Sequence, residues 1–159
     1  MFKVGDKVVY PMHGAGIIEA IEEREFLGEK RHYYVMRMPI GDMKVMVPTD
    51  STEEVGLRSV MTNDDVQQVL DILRSERTKM SNNWNRRYRA NMEKIKSGNA
   101  FELAEVVRNL IHREQEKGLS SGEKKMLDSA RQILVSELVL AQDIEEEEAE
   151  NLVDRLAAN

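Results

Sequence analysis

Thr62-Asn63-Asp64-Asp65-Val66 is where the hydrophobic period of this 159-residue chain changes, and the change decides the fold class. Downstream of it, Val66, Val69, Leu70 and Leu73 recur at helical spacing behind a capping threonine and an acidic first turn. Upstream, the chain reads as short strands divided by turns. Val4, Val8 and Tyr10 bracket a Gly5-Asp6 turn; Ile17 to Ile21 and Tyr33 to Met38 are β-branched, aromatic or Met-rich; Val45 and Val47 alternate before Pro48. Gly28-Glu29-Lys30 and Gly41-Asp42 are hairpin signals. Such a run of strands is too short for two full sheets, so a small, strongly bent barrel is the economical solution. The expected fold is therefore α+β in two domains: an SH3/Tudor-like β-barrel at residues 1–61 and an all-α helical domain at residues 62–159.

Further along, Ser75 to Ser81 reads as a polar connection, and Ser81 is placed to cap a helix that runs to about Ser97-Gly98. Asn99 with Glu102 resembles a capping box ahead of Leu103, Val106, Val107, Leu110 and Ile111, and Lys117-Gly118 stops that helix. Ser120-Ser121-Gly122-Glu123 starts the next, in which Met126, Leu127, Ala130, Ile133, Leu134, Glu137, Leu138 and Ala141 recur at core spacing. A last helix from Glu145 to about Ala157 has a glutamate-rich first turn. It reads as a solvated, dipole-matched face, with a clamp on a basic surface as the alternative.

Several chemistries are excluded at this level. The chain has no cysteine, hence no disulfide, thiol nucleophile or thiolate metal site, and His13, His32 and His112 are scattered, so neither metal nor cofactor is expected. Gly14-Ala15-Gly16 is followed by strand and lacks a Lys-Ser/Thr pair, which favours a turn over a phosphate loop. His13 lies near Asp6 without a nucleophile, so the protein is not expected to be an enzyme. No apolar run approaches a membrane span and no signal-peptide pattern opens the chain, which points to a cytoplasmic protein with no membrane partner.

The formal charge of −6 is unevenly spread. Residues 73–96 carry eight Lys and Arg against two Asp and Glu, whereas residues 137–159 carry one against eight. The basic island surrounds the only tryptophan, in Ser81-Asn82-Asn83-Trp84-Asn85-Arg86-Arg87-Tyr88-Arg89. Guanidinium groups beside a large amphipathic ring suit nucleic acid, because phosphates need the cations and a base step can accept the ring. Trp84, Tyr88, Met92 and Ile95 also fall at helical spacing, so by periodicity alone Trp84 could start a core stripe. A place in the first turn of a helix, beside free N–H groups and inside the basic island, favours an exposed Trp84 and leaves Met92 and Ile95 in the core. Tyr88 stays unassigned between the two. Arg87 falls on the face of Trp84, and Arg86 and Arg89 flank it.

Phe2-Lys3-Val4-Gly5-Asp6-Lys7-Val8-Val9-Tyr10-Pro11-Met12-His13-Gly14 resembles the opening of the CarD/CdnL transcription regulators, whose first domain is shared with transcription-repair coupling factors. The stretch Asn83 to Asn91 and the stretch Glu116-Lys117-Gly118-Leu119-Ser120-Ser121-Gly122-Glu123-Lys124-Lys125-Met126-Leu127 are similar to the family's later signatures. The resemblance implies a Tudor-like domain that binds the β subunit of bacterial RNA polymerase and a helical domain that meets promoter DNA in the minor groove, at the upstream edge of the melted bubble; a monomer is expected. It implies that Trp84 is the wedge there, that Arg86, Arg87, Arg89 and Lys124 lie near the DNA backbone, and that Arg24 contacts polymerase. Val45 and Met46 stand on the strand expected to complete that contact, where Met46 departs from the arginine often found in relatives. The function implied is stabilisation of the promoter open complex; the alternative is a protein-protein adaptor with no direct DNA contact.

Overall fold

The computed structural model describes residues 1–158; Asn159, the last residue of the expected helical domain, lies outside the described residues. Strands β1 (Lys7–Tyr10), β2 (Gly14–Phe26), β3 (Glu29–Met38), β4 (Met43–Pro48) and β5 (Arg58–Ser59) form an antiparallel sheet in the order β4-β3-β2-β1-β5. Val8, Ile18, Tyr34, Met36, Met38, Val47 and Leu57 fill its concave side. A bulge between Ile18 and Ala20 bends β2 and lets one strand serve both halves of the Tudor-like unit.

Gly14-Ala15-Gly16 is not a turn. It opens β2 and pairs with Tyr10, Val9 and Val8, while the chain reverses at Pro11-Met12-His13. The glycines serve close approach: a Cβ on Gly16 would lie 2.7 Å from the Met38 sulfur, and one on Gly14 would lie 3.0 Å from the Ser136 hydroxyl. The strand read as ending near Ile21 also continues to Phe26, as a ribbon that is two-stranded from the Glu23–His32 pair to the Phe26–Glu29 pair. Backbone pairing holds this ribbon with solvent on both faces, so no hydrophobic alternation announces it.

The helices are α1 (Thr52–Val55), α2 (Asn63–Arg74), α3 (Trp84–Lys96), α4 (Ala100–Glu116), α5 (Ser121–Gln142) and α6 (Glu146–Ala157). Thr62 and Asp65 form a reciprocal capping box on α2, which fixes the switch from strand to helix. Asn99 caps α4 by accepting from the Phe101 and Glu102 amides; the Glu102 carboxylate accepts from the Ser97 hydroxyl, so this box does not close. Leu73, Val106, Val107, Leu110, Leu134, Leu138 and Val153 are central to the helical core.

Helix α5 also packs on the sheet. Ser136 Oγ accepts from the Ala15 amide at 2.9 Å. Fully buried Glu137 accepts from both Arg58 terminal nitrogens, at 2.8 and 2.9 Å, and from the Met61 amide at 2.8 Å. Arg58 Nε donates to the Gly98 carbonyl at 2.6 Å, so one arginine ties β5, α5 and the end of α3 together. A buried carboxylate is tolerable only when so many donors meet it.

Candidate nucleic-acid interface

Helix α3 begins at Trp84 because Asn83 caps it, accepting from the Arg86 amide at 3.0 Å. Ser81, expected as the cap, instead accepts from the Asn83 amide at 3.1 Å and shapes the approach to the helix. Asparagine competes well for this position because its short side chain reaches an amide three residues on.

Trp84 is 42% exposed, and its orientation is fixed on several sides. Its indole N–H donates to Ser120 Oγ at 2.9 Å. Its ring stacks on Tyr88, with centroids 5.0 Å apart and planes 21° from parallel. The ring also lies over Gly122, where a Cβ would sit 3.5 Å from it. Tyr88 is thus both things the sequence left open, half-buried against the helical core and a platform for the tryptophan. Ile95 is buried, and Met92 packs partly buried against the same core.

Arg87 departs from its expected role beside the DNA backbone. Its side chain is 4% exposed and makes a two-pronged ion pair with the equally buried Glu123, Nε to Oε2 at 2.7 Å and Nη2 to Oε1 at 3.0 Å. Its remaining terminal nitrogen donates to the Ser81 carbonyl at 3.2 Å. Hydrogen bonding to Glu123, against the opposing effect of burial, raises the Arg87 pKa above its ordinary value. The same hydrogen bond holds the Glu123 carboxyl below its own, again opposed by burial. The physical reason is helix phase: the face carrying Trp84, Arg87 and Tyr88 is the one that packs on the start of α5.

Ser120 completes the junction. It caps α5 through the Glu123 amide at 3.2 Å, donates to the Glu123 carboxylate at 3.2 Å and receives the indole N–H. Two helix N-termini therefore meet at the tryptophan. The positive ends of two helix dipoles meet there, and Arg86, Arg89 and Lys124 stand in the first two turns of the same two helices, an arrangement that favours an anion. Arg86, Arg89 and Lys124 are exposed, and among the described residues no carboxylate lies within ion-pair distance of any of them. Lys125, exposed in the same turn of α5, adds a further cation. Ser120, Gly122 and Glu123 were missed as positioning residues; the Ser-x-x-Glu spacing marks a cap, but nothing local to it points to Arg87, 36 residues away.

The second group of expected contacts sits on the sheet. Arg24 is exposed on the ribbon, with Nε and Nη2 donating to Glu22 Oε2 at 3.1 and 2.7 Å. Met46 is 39% exposed on β4, which forms one edge of the sheet. Alternation along β3 places Val35, paired with Met46, and Arg31, paired with Arg24, on one face, so Arg24 and Met46 look the same way. Val45 does not join them. Its side chain is half-buried against the core of the sheet, on the face opposite Met46, because neighbouring strand residues point to opposite faces. Among the described residues, no cluster of His, Cys, Asp or Glu could hold a metal ion, and no helix is long and apolar enough to cross a membrane.

Residues 68–154 match the family model described as the CarD C-terminal domain, and residues 2–61 match the model described as the CarD-like/TRCF RID domain. The chain is 47% identical over 148 residues to YdeB of Bacillus subtilis (strain 168), a protein provisionally described as a transcription factor; the match covers 93% of this chain and 97% of YdeB. It is also similar to the solution NMR structure of the 72-residue N-terminal domain of Myxococcus xanthus CarD, at 36% identity and a TM-score of 0.33, over 37% of this chain and 79% of that one.

Proposed function

We propose, from the premise that this chain belongs to the CarD family of transcription regulators, that it stabilises the promoter open complex while held on RNA polymerase. In this reading residues 1–61 dock on the polymerase β subunit, through Arg24, Met46 and the free backbone edge of β4. Residues 62–159 then deliver Trp84 to the minor groove at the upstream fork of the bubble, with Arg86, Arg89 and Lys124 against the phosphates. The observation that carries it is the tryptophan itself. A ring pinned by a hydrogen bond, a stacking partner and a glycine, yet 42% exposed among unpaired cations, is pre-organised for a ligand rather than packed away.

Differential binding supplies the effect. A factor with equal affinity for closed and open complexes shifts nothing, whereas each ~1.4 kcal/mol of preference changes their ratio about tenfold. Unstacking a base step costs a few kcal/mol, so a wedge gains most at a junction that is already distorted. Docking on polymerase raises the local concentration of the wedge, which offsets the long-range repulsion of DNA by a chain of net charge −6. Trp84→Ala should leave polymerase binding intact and shorten the open-complex lifetime about tenfold, the scale of one lost base-aromatic stack. An unchanged lifetime with a folded variant would favour the adaptor reading, in which Trp84 meets protein.

A further inference from the structure

A second cationic concavity lies on the other side of Asn82 from the tryptophan in sequence. It has a volume of about 300 Å³, and its walls include Arg77, Lys79, Asn109, Arg113, Glu116 and Lys117. The connection between α2 and α3 supplies one wall and the last turns of α4 the other. That connection is not loose: the Thr78 amide donates to Asn109 Oδ1 at 3.1 Å, and Asn109 Nδ2 donates back to Thr78 Oγ1 at 2.8 Å. Asn109 is 2% exposed, so the floor is rigid.

The charges do not balance. Arg77 pairs with Glu116, which lowers the Glu116 carboxyl below its ordinary pKa chiefly through that hydrogen bond. The other three cations, Lys79, Arg113 and Lys117, have no carboxylate within ion-pair distance among the described residues. Arg113 Nε is buried with no hydrogen-bond partner among the described residues. Leaving a buried charged donor unmet costs more than a neutral one, and most native donors find an acceptor. Attraction between cations and the C-terminal end of α4 explains why Arg113 and Lys117 are tolerated there. It does not explain Lys79, which belongs to the opposite wall, and it leaves Arg113, whose side chain lines the cavity, with its buried Nε unmet.

We propose that this concavity is a phosphoryl-binding site, with Arg113 as the guanidinium at its base and Lys79 and Lys117 at its mouth. A phosphoryl group brings several acceptor oxygens to one point, which suits a guanidinium flanked by two exposed ammonium groups. Two sources offer that chemistry: a backbone phosphate of nucleic acid running on from Trp84 past Asn82, or the phosphate of a free small molecule. The first rests on the DNA reading given above; the second does not.

The full-length protein is titrated with inorganic pyrophosphate by calorimetry, and separately with a forked DNA duplex at low salt and then across a salt series. The variants are Arg113→Gln, the surface pair Lys79→Ala with Lys117→Ala, and Trp84→Ala. If the source is free, pyrophosphate binds the wild type, loses about tenfold in affinity in the lysine pair and in Arg113→Gln, and is indifferent to Trp84→Ala. If the source is DNA, the lysine pair weakens the fork and flattens the salt dependence by about 1.5–2 in the log-log slope, as expected for two lost phosphate contacts. The site is overturned if the wild type binds neither probe, or if the lysine pair, folded as judged by circular dichroism, changes neither affinity. A fork affinity lowered by Trp84→Ala but not by the lysine pair, with no pyrophosphate binding, would sink this site and leave the DNA reading standing. Lost pyrophosphate binding in the lysine pair, with a fork affinity untouched by Trp84→Ala, would do the reverse.

Discussion

The β2–β3 ribbon and the α3–α5 junction both present arginine and carboxylate pairs, and they hold them by opposite means. On the ribbon, Arg24 meets Glu22 at 2.7 Å with both side chains largely in water, 61% and 40% exposed. At the junction, Arg87 meets Glu123 at the same distance with 4% and 2% exposed. An exposed pair contributes at most about 1 kcal/mol and exchanges partners freely. A buried pair is committed, since removing either member strands the other away from water. The ribbon can therefore re-pair its charges with an incoming protein surface. The junction instead spends its arginine internally and fixes the geometry of the exposed ring beside it.

The largest way to break this contrast is Arg87→Ala, which should destabilise the fold by about 3–5 kcal/mol in denaturant unfolding, because Glu123 is left buried and unpaired. The pH dependence sharpens it. The folded-state pKa of Glu123 lies below its ordinary value of 4.5, so the pair's contribution is full above that value and is lost as pH falls through the lowered folded-state one. Stability curves of wild type and Arg87→Ala should accordingly converge below about pH 4.5, and parallel curves would assign the loss to packing instead. Arg24→Glu comes next: stability within about 0.5 kcal/mol of wild type, but about tenfold weaker capture by the polymerase β subunit. If capture is unaltered, the docking surface lies elsewhere. The smallest effect is expected for Ser120→Ala, about 1 kcal/mol from the lost cap of α5. It should also free the indole N–H, increasing the rotational mobility of Trp84 in fluorescence anisotropy decay; an equally rigid ring would mean that Tyr88 and Gly122 hold it alone.

How much of this was legible depended on how far apart the interacting residues lie. Thr62 with Asp65, Asn99 with Phe101 and Ser120 with Glu123 are contacts within a single turn, so the starts of α2, α4 and α5 could be read directly. The start of α3 was read two residues early because Ser81 and Asn83 are both good caps and only the chain path chooses between them. Gly14 to Gly16 were only partly legible: Gly14 leaves the Pro11-Met12-His13 turn at φ +113, but the segment is strand, and its tight spacing answers to the Met38 side chain and, across the molecule, Ser136. The ribbon beyond Ile21 escaped notice because a strand solvated on both faces leaves no apolar alternation.

The sequence by itself determined the strand-to-helix switch at Thr62, the helix caps, the basic island and the placement of Trp84 in a first turn. Those are properties of neighbours, governed by backbone hydrogen bonds that close within about four residues. Which of the arginines in that island are free was decided only by the tertiary structure. Arg86, Arg87 and Arg89 are chemically alike and nearly adjacent, yet among the described residues only Arg87 meets a carboxylate, brought in from 36 residues away. Burial of a charge depends on a partner that local sequence cannot name, so the same fold that exposes the tryptophan removes one of its expected companions from the surface.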